Sequence, residues 1–356
     1  AALTTGGIAA SVGLLVLALQ WQDSIDHLAE SYFFQAQRQH VTIGLAEAQS
    51  TRVIHEFERM PGVLAVEPMR IVSADFANGH LSHRGALMGI VDDARLQPIY
   101  DDTNRSTVPA PADGLLLSSA LADKLGISPG GSVWVQMLGG RRPLVRIPVV
   151  GVIDTWIGMP AYIHIDAMNR LLKERPSLEY VNLLIDGREE ARLYRFLKDL
   201  PMISSVVLKQ AAIDSFYDTI AEHMLVFIGM FSILASILGI GVAYNSTRIT
   251  LSERSRELAT LRVLGFSSAE AAYILLGEIA LLITLALPTG CLVGRLLSEL
   301  MAALFNTELF RVPMVIEPST YGYAVLIALA AAGSSAAIVG RNIVNLDLIE
   351  VLKTKE

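Results

Sequence analysis

Cysteine occurs once in 356 residues, at position 291, inside an apolar run. A lone thiol excludes any intrachain disulfide, so whatever folds outside a membrane must be held by its own core. Charge is scarce as well: Asp, Glu, Lys and Arg make up 18% of the chain against 52% hydrophobic residues, at a mean hydropathy of +0.47. That is too apolar for an ordinary soluble domain and puts part of the chain in lipid. The short patterns of familiar chemistry are missing too. There is no G-x-x-x-x-G-K-[ST] to hold nucleotide, no H-E-x-x-H, no G-x-S-x-G, and no cysteine nucleophile in the polar part. The reading is therefore no catalytic residue, no metal site and no cofactor bound by this chain. His80 and His83 have H-x-x-H spacing but stand between Gly79 and Gly85 and read as loop. Asp92, Asp93, Asp101 and Asp102 lack the spacing of a calcium loop and read as a solvated acidic loop. Residues 21–222 carry 25 acidic against 19 basic side chains, a difference of −6 out of the total of −7. With no basic stripe, nucleic acid is excluded as a partner.

What the chain does have is four apolar runs and one long polar stretch. The expected fold class is an α-helical membrane protein with four transmembrane helices plus an α+β extracytoplasmic domain. The boundaries read as a first span at 1–20, the domain at 21–222, a second span at 223–244, a cytoplasmic connection at 245–268 and a third span at 269–294. An outer loop at 295–320, a fourth span at 321–341 and a cytoplasmic tail at 342–356 follow. The first run, 3–19, is slightly short, and the chain begins at Ala1 without Met or a flanking positive charge. Its first turn and cytoplasmic lead are therefore read as missing. A signal peptide is the competing reading; against it stand the absent basic leader and the poor cleavage site at Gln20, Trp21 and Gln22. In the third run Gly290 and Gly294 form a GxxxG that lets another helix come close. Glu278, in the same run, is costly to bury unless bonded or protonated. It reads either as a helix-to-helix contact or as a proton or substrate site.

Residues 245–270, NSTRITLSERSRELATLRVLGFSSAE, form the most basic short connection between apolar runs, with Arg248, Arg254, Arg256 and Arg262. Positive charge in short loops marks the cytoplasmic side, and Arg341, Lys353 and Lys355 bring the tail back to it, so both termini are expected inside. Glu253 and Glu257 stand four apart with Arg256 between them, and Leu258, Leu261 and Leu264 recur every three residues, which predicts an amphipathic helix. Gly265 stops it, and Ser267 with Glu270 reads as a capping box opening the next helix.

In the polar stretch, 41–45 and 63–69 read as strands around a helix at 51–60. A helix at 189–200 and a strand at 204–209 come much later. VIHEFERMPGVLAVEPMR at 53–70 lines up with LYRFLKDLPMISSVVLKQ at 193–210, an internal repeat of helix, proline and strand. This predicts two units of one sheet with the residues between them inserted. In the insert, 114–117 reads as a strand and Ser118 as the cap of a helix over 119–125 ended by Gly126. Strands at 132–138 and 144–153 read as a hairpin turning at Gly139 and Gly140.

ERSRELATLRVLGF at 253–266 resembles the signature of FtsX-like permeases, the MacB-type membrane subunits of ABC transporters. The four runs, the domain between the first two and the closing LDLIEVLK at 346–353 extend the resemblance. The insert resembles the β-rich subdomain of MacB-type periplasmic domains, set in a porter-like α/β unit. The resemblance implies that Arg248, Glu253, Arg254, Arg256, Glu257, Leu258, Leu261, Arg262, Gly265 and Phe266 couple to an ABC ATPase. That ATPase, acting as a dimer, would hold ATP and Mg. Further implied partners are a second permease copy or homologous half, membrane lipid and a periplasmic adaptor, in the bacterial inner membrane. The chain then reads as the C-terminal half of a long two-repeat permease or as a homodimer subunit. Its function reads as export or extraction of a lipid, lipoprotein or other hydrophobic substrate. The alternatives are mechanotransmission to a partner such as a cell-wall hydrolase, or a membrane-anchored sensor or enzyme without an ATPase.

Overall fold

The structure is a computed structural model that describes residues 2–198, 200–253, 257, 260, 264, 268–305 and 311–344. Contacts divide the chain into two compact units. One comprises Ala1–Asp26, Ile220–Phe305 and Met314–Glu356, the other His27–Thr219 with Asn306–Pro313.

The second unit is an α+β body. In chain order it holds β1 (Val41–Ser50), α2 (Ile54–Glu58), β2 (Val63–Asn78), β3 (Leu81–Ile90), β4 (Ile99–Asp101), β5 (Ser106–Val108) and β6 (Leu115–Ser118). Then come α3 (Ser119–Leu125), β7 (Ser132–Met137), β8 (Leu144–Ile153), β9 (Ala161–His164), α4 (Ile165–Leu172), β10 (Ser177–Ile185), α5 (Glu190–Lys198), β11 (Ile203–Leu208) and α6 (Lys209–Phe216). α1 (Ala2–Glu30) precedes them.

The two repeat units do build one sheet. Its order is β11-β1-β10-β2 and every neighbour is antiparallel, with Val41 opposite both Leu183 and Leu208, and Leu183 opposite Val66. Exchanging the β1-α2-β2 unit with β10-α5-β11 reproduces that order reversed, which is the split βαβ arrangement. The same turn leaves each helix. Met60 N donates to Phe57 O and Val63 N to Met60 O (3.1 and 3.3 Å); Leu200 N donates to Leu197 O and Ile203 N to Leu200 O (3.3 and 3.2 Å). Phe57 and Leu197, one turn earlier, are the buried plugs of the two helices. The first helix is shorter than the expected 51–60, being a 3-10 turn at Thr51–Val53 followed by five α residues. Pro61, which cannot donate a helical bond, and Gly62 at φ +78° cut it off.

β2 runs on to Asn78, well past the expected end at 69. Beyond Met69, Val72, Ala74 and Phe76 point inward while Ser73 and Asp75 face out, a period of two that continues the strand. This second half pairs with β3 on one side and β7 on the other, and β3-β9-β6-β8-β7 completes the circuit, so six strands close on themselves. Closure leaves no free edge. Val133, Val135 and Met137 fill the interior while Trp134 faces out. Leu121 and Leu125 of α3 and Met168 and Leu172 of α4 pack into the same core. Ser118 caps α3 by accepting from Leu121 N, and Gly126 closes it in the left-handed conformation, φ +59°. His83, expected in a loop, lies on β3 opposite Phe76. Asp101, expected in a solvated loop, is buried at the end of β4, where its carboxylate accepts from Thr103 N, Asn104 N and Asn104 Nδ2. Asp92 and Asp93 are exposed.

Where β2 passes from sheet to barrel, Arg70 is buried (3% exposed) and bonds outward from both ends of its guanidinium. Nη1 donates to Asn169 and to Ser177 Oγ (2.8 Å), and Nη2 to Glu174 (2.5 Å) and Glu179 (3.3 Å). Two carboxylates offset its charge, although its buried Nε has no partner among the described residues, and the four bonds fix α4 and β10 to the joint of β2.

The other unit is a bundle of α1 with α7 (Glu222–Glu253), α8 (Ser268–Leu304) and α9 (Pro318–Val344). Among the described residues three stretches are long and apolar enough to cross a membrane: Thr4–Ala36, Lys209–Thr250 and Ala280–Leu304. The expected fourth span, 321–341, lies within α9.

Candidate functional site

The basic connection predicted to be the working part joins α7 to α8. α7 is anchored along its length to α1. Thr4 and Ser246 share a hydroxyl bond of 2.8 Å, Ser11 Oγ donates to Ala235 O at 2.7 Å, and a Cβ on Gly7 would meet Val242 at 2.8 Å. α8 is seated on another face of α1 through the GxxxG. A Cβ on Gly290 would stand 2.6 Å from Val12 Cβ, and one on Gly294 would stand 2.6 Å from Val16 Cβ and 3.0 Å from Gly13 O. The glycines are there because backbone meets backbone. Val12, Leu15 and Val16 consequently have no exposed surface.

Arg248 and Glu253 project from the last turns of α7 and are exposed. Glu257 and Thr260 are helical and exposed, and Leu264 N donates to Thr260 O at 3.0 Å, one turn of helix. α8 begins at Ser268. Arg254, Arg256, Leu258, Leu261, Arg262, Gly265 and Phe266 lie outside the described residues. Glu278 is in the backbone of α8, and its side chain too lies outside the described part.

Sequence reading passed over a second constellation, in the α+β unit. Tyr32, Tyr100, Trp156 and Tyr162 line a cleft of about 500 Å³ together with Asp102. Each comes from a different stretch of chain: the π turn Ser31–Ala36 after α1, β4, the segment after β8, and β9. No local pattern could have announced the cluster. The Asp102 carboxylate accepts from Ser31 Oγ and, at 3.0 Å, from Trp156 N. Burial nevertheless raises its pKa above the ordinary carboxylate value, against those two bonds. Burial, with Tyr32 and Asp102 close by, also pushes the Tyr162 hydroxyl upward.

Residues 229–348, about a third of the chain, match the family FtsX-like permease C-terminal. No curated protein matches the chain. Among solved structures the chain is similar to the extracellular domain of the noncanonic ABC-type transporter YknZ from Gram-positive bacteria. That likeness has 13% identity and TM-score 0.31, over 47% of this chain and 100% of that one. It is also similar to the periplasmic region of MacB from Actinobacillus actinomycetemcomitans, with 14% identity and TM-score 0.34, over 52% of this chain and 96% of that one. Neither likeness, at that score, bears on what this chain binds. The matched residues run from within α7, through the basic connection and α8, to just past the end of α9, so over that third of the chain the sequence is similar to the C-terminal part of FtsX-like permeases.

Proposed function

We propose that the chain is the membrane subunit of an ABC transporter and that residues 245–268 are where a separate ATPase dimer, carrying ATP and Mg, docks. The observation that carries this reading is the placement of the charged connection. It is tied to α1 by two helices that are themselves packed closely against it, so force applied at the connection has a stiff path into the bundle. Arg248, Glu253 and Glu257 are exposed and available to set polar register, with Arg254, Arg256 and Arg262 adding to it and Leu258, Leu261 and Phe266 supplying apolar anchors. Positive charge in that connection supports a cytoplasmic position for it and, with it, an extracytoplasmic α+β unit. The substrate class proposed is a lipid, lipoprotein or other hydrophobic molecule, exported or extracted. Four helices are few for a translocation path, so a second copy or homologous half completes the working unit.

The experiment is reconstitution with the ATPase that co-purifies. Glu257→Lys and Leu261→Asp are expected to uncouple ATP hydrolysis from transport while leaving the bundle folded. Unchanged ATPase binding and transport in both variants would sink the assignment.

A further inference from the structure

The cleft beside Asp102 has no part in the coupling just described, and its chemistry is specific. Four aromatic residues line a space of about 500 Å³, within the ordinary range for small-molecule sites, and Met88 and Met159 add apolar wall. The charges around it do not cancel. Arg84, in the wall, is held by Asp75 through two bonds of 2.6 and 2.9 Å and so brings no net charge. Asp102 has a hydroxyl and a backbone N–H as partners, and among the described residues no Lys or Arg is paired with it. Asp101 precedes it, and Asp154 accepts from Thr103 on the same turn, so the surroundings are acidic; His27 and, in the wall, His83 are the other titratable groups near it. A partly buried carboxylate in a cleft lined by aromatic residues is an environment that can stabilise an organic ammonium, by ion pairing on one side and by ring quadrupoles on the others. An anion would meet repulsion there, and a neutral apolar molecule would cover the carboxylate without pairing its charge.

We infer that this cleft binds an organic cation carried on an apolar body, its ammonium held among Tyr32, Tyr100, Trp156 and Tyr162 against the Asp102 carboxylate. The inference does not rest on the transport reading: the α+β unit would bind such a molecule whether it is cargo or a signal.

The test uses the full chain in neutral detergent micelles at pH 7, titrated with benzyltrimethylammonium, benzyl alcohol and benzylsulfonate. These three probes share a ring and differ in charge. The cation is expected to bind at least tenfold more tightly than the other two. Asp102→Asn is expected to lower cation affinity at least tenfold and to leave benzyl alcohol unchanged. Because that variant also removes an acceptor for Trp156 N, Tyr100→Leu serves as a second probe, keeping the carboxylate and removing one ring; it is expected to lower cation affinity several-fold. Equal binding of the three probes, or cation affinity unchanged in whichever of the two variants folds, overturns the inference.

Discussion

Arg311 donates its backbone N–H to the carbonyl of Trp156 at 2.8 Å, and its guanidinium bonds Ser119 Oγ at 3.1 Å and Asp123 at 3.0 Å. Arg311 thereby bonds both to α3 and to the segment between β8 and β9 that walls the aromatic cleft. Trp156 passes the contact on, since its own N–H donates to Asp102. The Arg311–Asp123 pair is partly exposed, so its coupling should be modest, about 0.5–1 kcal/mol in a double-mutant cycle. Arg311→Ala is expected to leave the melting temperature nearly unchanged while speeding hydrogen exchange around residue 156. Full protection retained there would show that the backbone bond alone suffices.

Gly294 and Gly290 are predicted to be intolerant even of alanine, because the added Cβ would run into Val16, Val12 and the backbone of α1. Gly294→Ala should destabilise the bundle by about 1–3 kcal/mol, as overpacking does. Gly277, on the same helix with nothing within 4 Å of its would-be Cβ, is the control. Thermal unfolding in detergent should separate the two; equal midpoints would contradict the packing described.

Phe57 and Leu197 occupy equivalent positions in the two repeats and are both buried. Replacing either with alanine removes a helix's plug and should cost about 2–5 kcal/mol. Denaturant midpoints of the full chain, followed by a probe in the sheet, would reveal it, and a loss in only one of the two would show that the repeats are not energetically equivalent.

Glu67 is buried, and its carboxylate accepts three backbone N–H groups in a row, from Arg95, Leu96 and Gln97, at 2.6, 3.0 and 3.0 Å. Glu67→Gln turns an acceptor into a donor facing donors and is expected to cost about 1–3 kcal/mol. Faster proteolysis after Arg95 is the accompanying sign, and wild-type resistance would refute it.

Asp102, its pKa raised by burial, keeps a proton in the native state to higher pH than in the unfolded chain. Its contribution to stability is therefore fully present below the ordinary carboxylate value and is lost as pH rises through the native one. Relative to Asp102→Asn, the wild type should gain stability as the pH is lowered through that window. A parallel pH dependence of the two proteins would show that the carboxylate is better solvated than the cleft implies.

The sequence alone carried whatever depends on neighbours along the chain: the apolar runs, the arginines between two of them, the capping Ser118 with its closing Gly126, and the alternation of Val133, Val135 and Met137. The proline-centred repeat was visible because the same local turn is written twice. Tertiary structure decided what depends on residues distant in sequence. The closing of β2 onto β7, the long reach of β2 past Met69, Arg70 at the joint, and α1 as the strip on which Gly290 and Gly294 land all come from it. Asp102 reads in sequence as one more solvated acid; only burial beside Trp156, with Ser31 and three tyrosines gathered from separate segments, makes it a distinct chemical environment. Periodicity records which face a residue presents, whereas the partner it meets there is fixed by how the chain crosses itself.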